Sequence, residues 1–174
     1  MGLFSRKKKI SVDKLAQILI NLKFEKNILE KDFILFASSK KKLKKQFFYE
    51  YLIFDLFCDY ACFLLAFKQE ICEELLEIYV SNIIIRLPKK YSIDWEKFET
   101  LFKKRFTEYY PYLQEINKPI DPNNHISGLG KLFSINFIGN KDDLEIIYKA
   151  QMLFITKLEI FYGSFLKKLA RNIK

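Results

Sequence analysis

Residues 47–67 constrain this chain more than any other feature: the run is apolar and long enough to cross a bilayer, yet it carries Glu50, Asp55 and Asp59. Each acid would cost about 2.5–3.5 kcal/mol at a bilayer centre, so the run reads as a buried core helix and not as a span. Leu43, Phe47, Phe54, Cys58, Ala61 and Leu65 follow helical spacing, with Tyr51 inside the one longer step, and other apolar residues fill much of the remaining circumference. A helix that is apolar nearly all round is a central one, covered by neighbours on several sides.

Composition supports a helical surround. The chain has 174 residues, 50% of them apolar, with only 5 Gly and 4 Pro. That apolar content excludes a disordered tail. So few turn-formers also argue against a sandwich, which needs a turn signal every 8–12 residues or so. A chain this long can bury roughly 70% of its extended surface, enough for one core.

Helix signals recur along the chain. Ser11 is placed to cap a first helix with Val12, Leu15, Ile18, Leu19 and Leu22 on one stripe. A second periodic stretch holds Ile28, Leu29, Phe33, Leu35 and Phe36, with a break at Ser38 and Ser39. Beyond Lys68, a helix with Ile71, Leu75, Ile78, Tyr79 and Asn82 on one side sets Glu70, Glu73, Glu74 and Glu77 on the other, and Pro88 ends it. The run Ile83, Ile84 and Ile85 is too short to outweigh its helical flanks. Ser92 or Asp94 caps the next helix, with Trp95, Phe98, Leu101, Phe102 and Phe106 toward the core, and Pro111 either kinks it or opens a successor.

Residues 118–127 read as the clearest loop. Ile126, Leu129, Leu132, Phe133 and Phe137 then read as a short helix weakened by Gly128 and Gly130. Gly139 suits a left-handed stop, and Asn140 with Asp143 three places on resembles a cap for the last helix. That helix carries Leu144, Ile147, Tyr148, Gln151, Ile155, Leu158, Tyr162 and Leu169.

Chemical signals are few. Asp55 and Asp59 share a helix face in an apolar segment; as neighbouring carboxylates they could serve acid–base chemistry, but the preferred reading pairs them with Lys or Arg from another helix. Cys58, Cys62, Cys72 and the sole histidine, His125, would suffice for tetrahedral zinc. Their spacing matches no common zinc pattern, and core packing is the preferred reading. Gly128, Gly130 and Lys131 hint at a phosphate loop but lack a preceding strand. One histidine cannot supply a ferritin-like dimetal site.

The formal net charge is +9. Lys, Ile, Phe, Asn and Tyr are all encoded by A/T-rich codons, so a genome biased that way would produce such a composition without any selection for a polyanion partner. The clusters are Arg6, Lys7, Lys8 and Lys9; Lys40, Lys41, Lys42, Lys44 and Lys45; Lys103, Lys104 and Arg105; and Lys167, Lys168 and Arg171. No nucleic-acid-binding motif accompanies them. Arg6 stands where N-myristoylation requires Ser or Thr, and no signal-peptide apolar run follows Met1.

The expected architecture is a single all-α domain over residues 1–174, an irregular bundle of five to seven helices around the helix at about 41–67. Residues 1–10 are expected to be a flexible basic N-terminal segment. The expected function is a nonenzymatic, cytoplasmic protein-interaction module without cofactor or metal, its partner another protein. The alternative is a peripheral binder of nucleic acid or anionic membrane through the basic clusters, and the third is an enzyme using Asp55, Asp59 or His125.

Overall fold

The computed structural model describes residues 10–24, 31, 33–34, 45–87, 93–116 and 122–170, without the side chains of 45, 46, 114–116 and 122–127. Among these residues there are six helices and no strand. They are α1 (Val12–Phe24), α2 (Lys45–Ala66), α3 (Gln69–Arg86), α4 (Trp95–Ile116), α5 (Pro122–Ile138) and α6 (Leu144–Thr156). Without a break, α6 runs into a π-helical segment, Lys157–Leu166, and a last α-helical turn, Lys167–Ala170. The fold is an irregular all-α bundle, as the helical periodicity requires.

The centre is α2. Every residue from 48 to 63 is buried, whichever side of the helix it faces. Helices α3, α4, α5 and α6 and the π segment all pack on it, while α1 packs on α3. Aromatic rings supply much of the filling: Phe54 lies 4.3 Å from Phe133 and 5.7 Å edge-on from Tyr109, and Phe57 meets Phe106 and Tyr109. Each such ring contributes about 1.5–3 kcal/mol by burial, with a further ~0.5–1.5 kcal/mol where ring geometry is favourable.

Local signals set several helix ends. The Ser11 hydroxyl accepts the Lys14 N–H, and Asp94 accepts the Lys97 N–H at 3.3 Å, so each satisfies a free donor of a first turn. Tyr49 of α2 accepts the Asp94 N–H at 2.9 Å, which ties the start of α4 to the core. Gly139 takes a left-handed φ of 76° and closes α5 with a bond from its N–H to the Ile135 carbonyl. The isoleucine run 83–85 is helical within α3, and α4 continues through Pro111 as one helix.

Four expectations are corrected. The loop expected at 118–127 is helical from Pro122 onward, because proline is well suited to a first helical turn, whose N–H groups lack partners anyway. Gly128, Gly130 and Lys131 therefore sit inside α5, not in a phosphate loop. The cap of α6 is Asp143, whose carboxylate accepts the Ile146 N–H at 3.1 Å, while Asn140 instead accepts the Asp142 N–H in the preceding turn. The buried face of α6 is Ile146, Ile147, Ala150 and Phe154, so Leu144 and Tyr148 point outward. Trp95, expected toward the core, is 46% exposed.

Gly130 does more than weaken α5. A Cβ there would lie 3.0 Å from the Ile147 carbonyl oxygen and 3.2 Å from Gln151 Cγ, so the missing side chain lets α5 and α6 approach closely. Gly130→Ala gains about 1 kcal/mol of helix propensity but pushes a backbone apart, at about 1–3 kcal/mol. The expected result is a net loss of about 1 kcal/mol in urea denaturation.

Candidate functional site

Asp55 and Asp59 lie one turn apart on α2, 2% and 1% exposed. An isolated carboxylate at such a depth would be too costly to keep charged. Two lysines from distant elements meet them. Lys23, in the last turn of α1 and 7% exposed, pairs with Asp55 Oδ2 and Asp59 Oδ2. Lys157, where α6 turns into the π segment, stands 2.9 Å from Asp55 Oδ1 and 2.5 Å from Asp59 Oδ1. Tyr79 of α3 donates its hydroxyl to Asp59 Oδ2 at 3.0 Å. The result is a neutral quartet in which each ammonium bridges both acids.

The field within the quartet overrides burial. Burial alone would lower the pKa of both lysines, but Asp55 and Asp59 raise it above the ordinary value. Burial would raise Asp55, and the two ammonium groups instead hold it below the ordinary carboxylate range. Tyr79 is pushed well up, by burial first and then by Asp59, and stays a hydroxyl donor. The π segment delivers one lysine to this centre; such i→i+5 winding is rare and occurs often at functional sites.

A cavity of about 340 Å³ opens over the quartet. Leu19, Leu22, Leu153, Ile160 and Phe161 form apolar walls, Thr156 contributes at the rim, and Lys23, Lys157, Asp55, Asp59 and Tyr79 provide the polar lining. The volume falls at the small end of ligand pockets.

A second buried ion pair lies farther along α2. Arg105 of α4 grips Glu50 with two prongs, Nε at 2.8 Å and Nη2 at 2.6 Å, and its Nη1 reaches Glu108 at 2.8 Å. Asn136 of α5 donates to Glu108 and to the Tyr109 hydroxyl, joining three helices. Burial raises the Glu50 pKa despite the opposing guanidinium.

The other sequence candidates are dispersed or lie outside the described residues. Arg6, Lys7, Lys8, Lys9, Lys40, Lys41, Lys42 and Lys44 are among the latter, as are Arg171 and the side chains of Lys45 and His125. Of the cluster at 103–105, Arg105 is committed to Glu50 and Glu108, and Lys103 pairs with Glu99 at 2.7 Å. Cys58, Cys62 and Cys72 are buried free thiols. Burial pushes Cys62 up to about 12 and Cys58 well above its usual value, which makes both poor nucleophiles. Among the described residues no group of three or more His, Cys, Asp or Glu is placed to hold a metal ion, and no helix is long and apolar enough to cross a membrane.

Sequence reasoning missed Lys23 and Lys157. The available signal is their position: Lys23 continues the Leu15–Leu19 stripe of α1, and Lys157 falls between Phe154 and Phe161 at helical spacing. A lysine on an apolar stripe calls for a buried acid. No protein-family model matches the chain, and comparisons with curated proteins and with solved structures find no match.

Proposed function

We propose that this protein is a nonenzymatic interaction module that docks an apolar helix of a partner protein along α6. The observation carrying this reading is that α6 is apolar on two sides. One side packs into the bundle through Ile146, Ile147, Ala150 and Phe154, and the other presents Leu144, Tyr148 and Met152, 77%, 61% and 41% exposed. A helix apolar on both sides is usually covered on both. The outward residues recur every four positions, the spacing at which a second helix seats its own side chains. The quartet supports a structural, not catalytic, use of Asp55 and Asp59, since every carboxylate oxygen already faces an ammonium. The same reading places the protein in the cytoplasm, supported by three buried thiols with no disulfide among them.

The test is affinity capture with wild-type protein and with a Tyr148→Glu, Met152→Glu variant. A partner identified by mass spectrometry, and confirmed with purified components, should bind the variant at least tenfold more weakly while the thermal melts coincide. Equal binding of that partner would overturn the α6 assignment. Binding that ignores the variant but falls steeply with added salt would favour the basic clusters and a polyanion or anionic membrane surface.

A further inference from the structure

We propose that the cavity over the quartet is a binding site for a small, uncharged amphiphile: an apolar body with one hydroxyl or carbonyl. This is independent of the docking face on α6. Three observations converge on it. The cavity has about 340 Å³ of space with walls from Leu19, Leu22, Leu153, Ile160 and Phe161, which suits an apolar body. Its polar lining is built, with Lys23, Asp55, Asp59 and Tyr79 buried and Lys157 half-buried, held by residues from α1, α2, α3 and the α6–π junction. And the lining keeps hydrogen-bonding capacity in reserve.

Donor counting supplies the head-group chemistry. An ammonium has three N–H donors. Lys23 and Lys157 each donate to Asp59, and each also stands in ion-pair contact with Asp55, whose buried Oδ2 accepts no hydrogen bond. Among the described residues neither ammonium meets a third oxygen; Lys23 lies over the Tyr79 ring and Lys157 over the Phe161 ring at 5.6 Å, partners weaker than a ligand oxygen, and both line the cavity. Carboxylate oxygens carry two lone pairs each, so acceptor capacity remains as well. A hydroxyl can use both and a carbonyl can use the donors.

Charge excludes the ionic analogues. The two lysines and two aspartates sum to zero. A ligand carboxylate would add a third negative group beside Asp55 and Asp59, and a ligand ammonium a third positive one beside Lys23 and Lys157. Either would leave a net charge in a desolvated place, the arrangement that costs most there. A neutral head group adds hydrogen bonds without that cost.

The probes are 1-hexanol, hexanoate and hexylammonium, titrated into the full chain and followed by methyl NMR shifts of Leu19, Leu153 and Ile160. Hexanol should shift these resonances saturably, with an affinity at least tenfold above those of the two ions. Ile160 and Thr156 are both exposed at the rim, so Ile160→Trp and Thr156→Trp should each block entry without disturbing the core. In whichever of them melts like wild type, hexanol binding should be lost; shifts of Leu19 and Leu153 report it in both. The proposal is overturned by shifts that never saturate, by hexanoate or hexylammonium binding as tightly as hexanol, or by binding that persists in the blocked variants.

Discussion

Asp59→Ala is expected to cost about 3–5 kcal/mol of stability at neutral pH, a fall of roughly 10 °C or more in melting temperature for a chain of this size. The substitution removes one acid from a balanced set. Two ammonium groups are then left facing Asp55 alone, with Lys23 only 7% exposed. Tyr79 also loses the acceptor for its hydroxyl. Removing one charge of each sign is a different matter. Asp59→Leu combined with Lys157→Met restores neutrality, and buried pairs exchanged for apolar groups are often close to neutral in stability. The double variant should therefore recover much of the loss, a coupling that a double-mutant cycle measures directly.

The pH dependence follows from the same contacts. Asp55 has a depressed folded pKa, so its contribution is present above the unfolded carboxylate value near 3.9 and is lost as pH falls through the lower folded value. Lys23 and Lys157 have raised folded pKa values, so theirs is full below the unfolded value near 10.4 and is lost as pH rises through the folded ones. Wild type should accordingly show a broad stability plateau between about pH 4 and 10 from these groups. Thermal melts of Asp55→Asn and Asp59→Asn provide the opposing test. Unchanged or higher stability in both at neutral pH would reveal like-charge strain and move the pair toward acid–base chemistry.

How much of this was legible in sequence depends on range. The central helix could be read because its evidence is local: acids that forbid a membrane, and apolar residues on every side. The caps at Ser11 and Asp94 are local too. The quartet is not. Asp59 is 36 residues from Lys23 and 98 from Lys157, and no short-range pattern reports on a contact that depends on how three helices cross. Residues 55 and 59 could be seen to need partners, but not which. The last helix failed for a different reason. Its apolar residues occupy more than one side, so Leu144 and Tyr148 fit a helical stripe as well as Ile146 and Phe154 do, and only packing on α2 and α5 decides between them. The π winding over Lys157–Leu166 lies outside any argument based on a period of 3.6 residues.

Arg105→Ala should destabilise the protein by a comparable amount, about 3–5 kcal/mol at neutral pH, through the buried acid it abandons. Glu50 is 0% exposed, and the two prongs of Arg105 bind both of its oxygens. Without the guanidinium, Glu50 must either hold a charge in the core or take up a proton. Burial already raises its pKa while Arg105 opposes that rise, so the variant's Glu50 should titrate higher still. A raised folded pKa means that the neutral acid is the form the fold prefers, and stability is lost as pH rises through it. Arg105→Ala should therefore gain stability relative to wild type on going from pH 7 to pH 5, above the range where Asp55 titrates. Arg105→Lys should recover only part of the loss, because a lysine restores charge without the planar two-pronged grip. Glu50→Gln placed in the Arg105→Ala background removes the charge itself and should flatten the pH dependence. Denaturant midpoints at the two pH values measure all four proteins. A pH response in Arg105→Ala that survives Glu50→Gln would assign the effect to another group and sink this account of the pair.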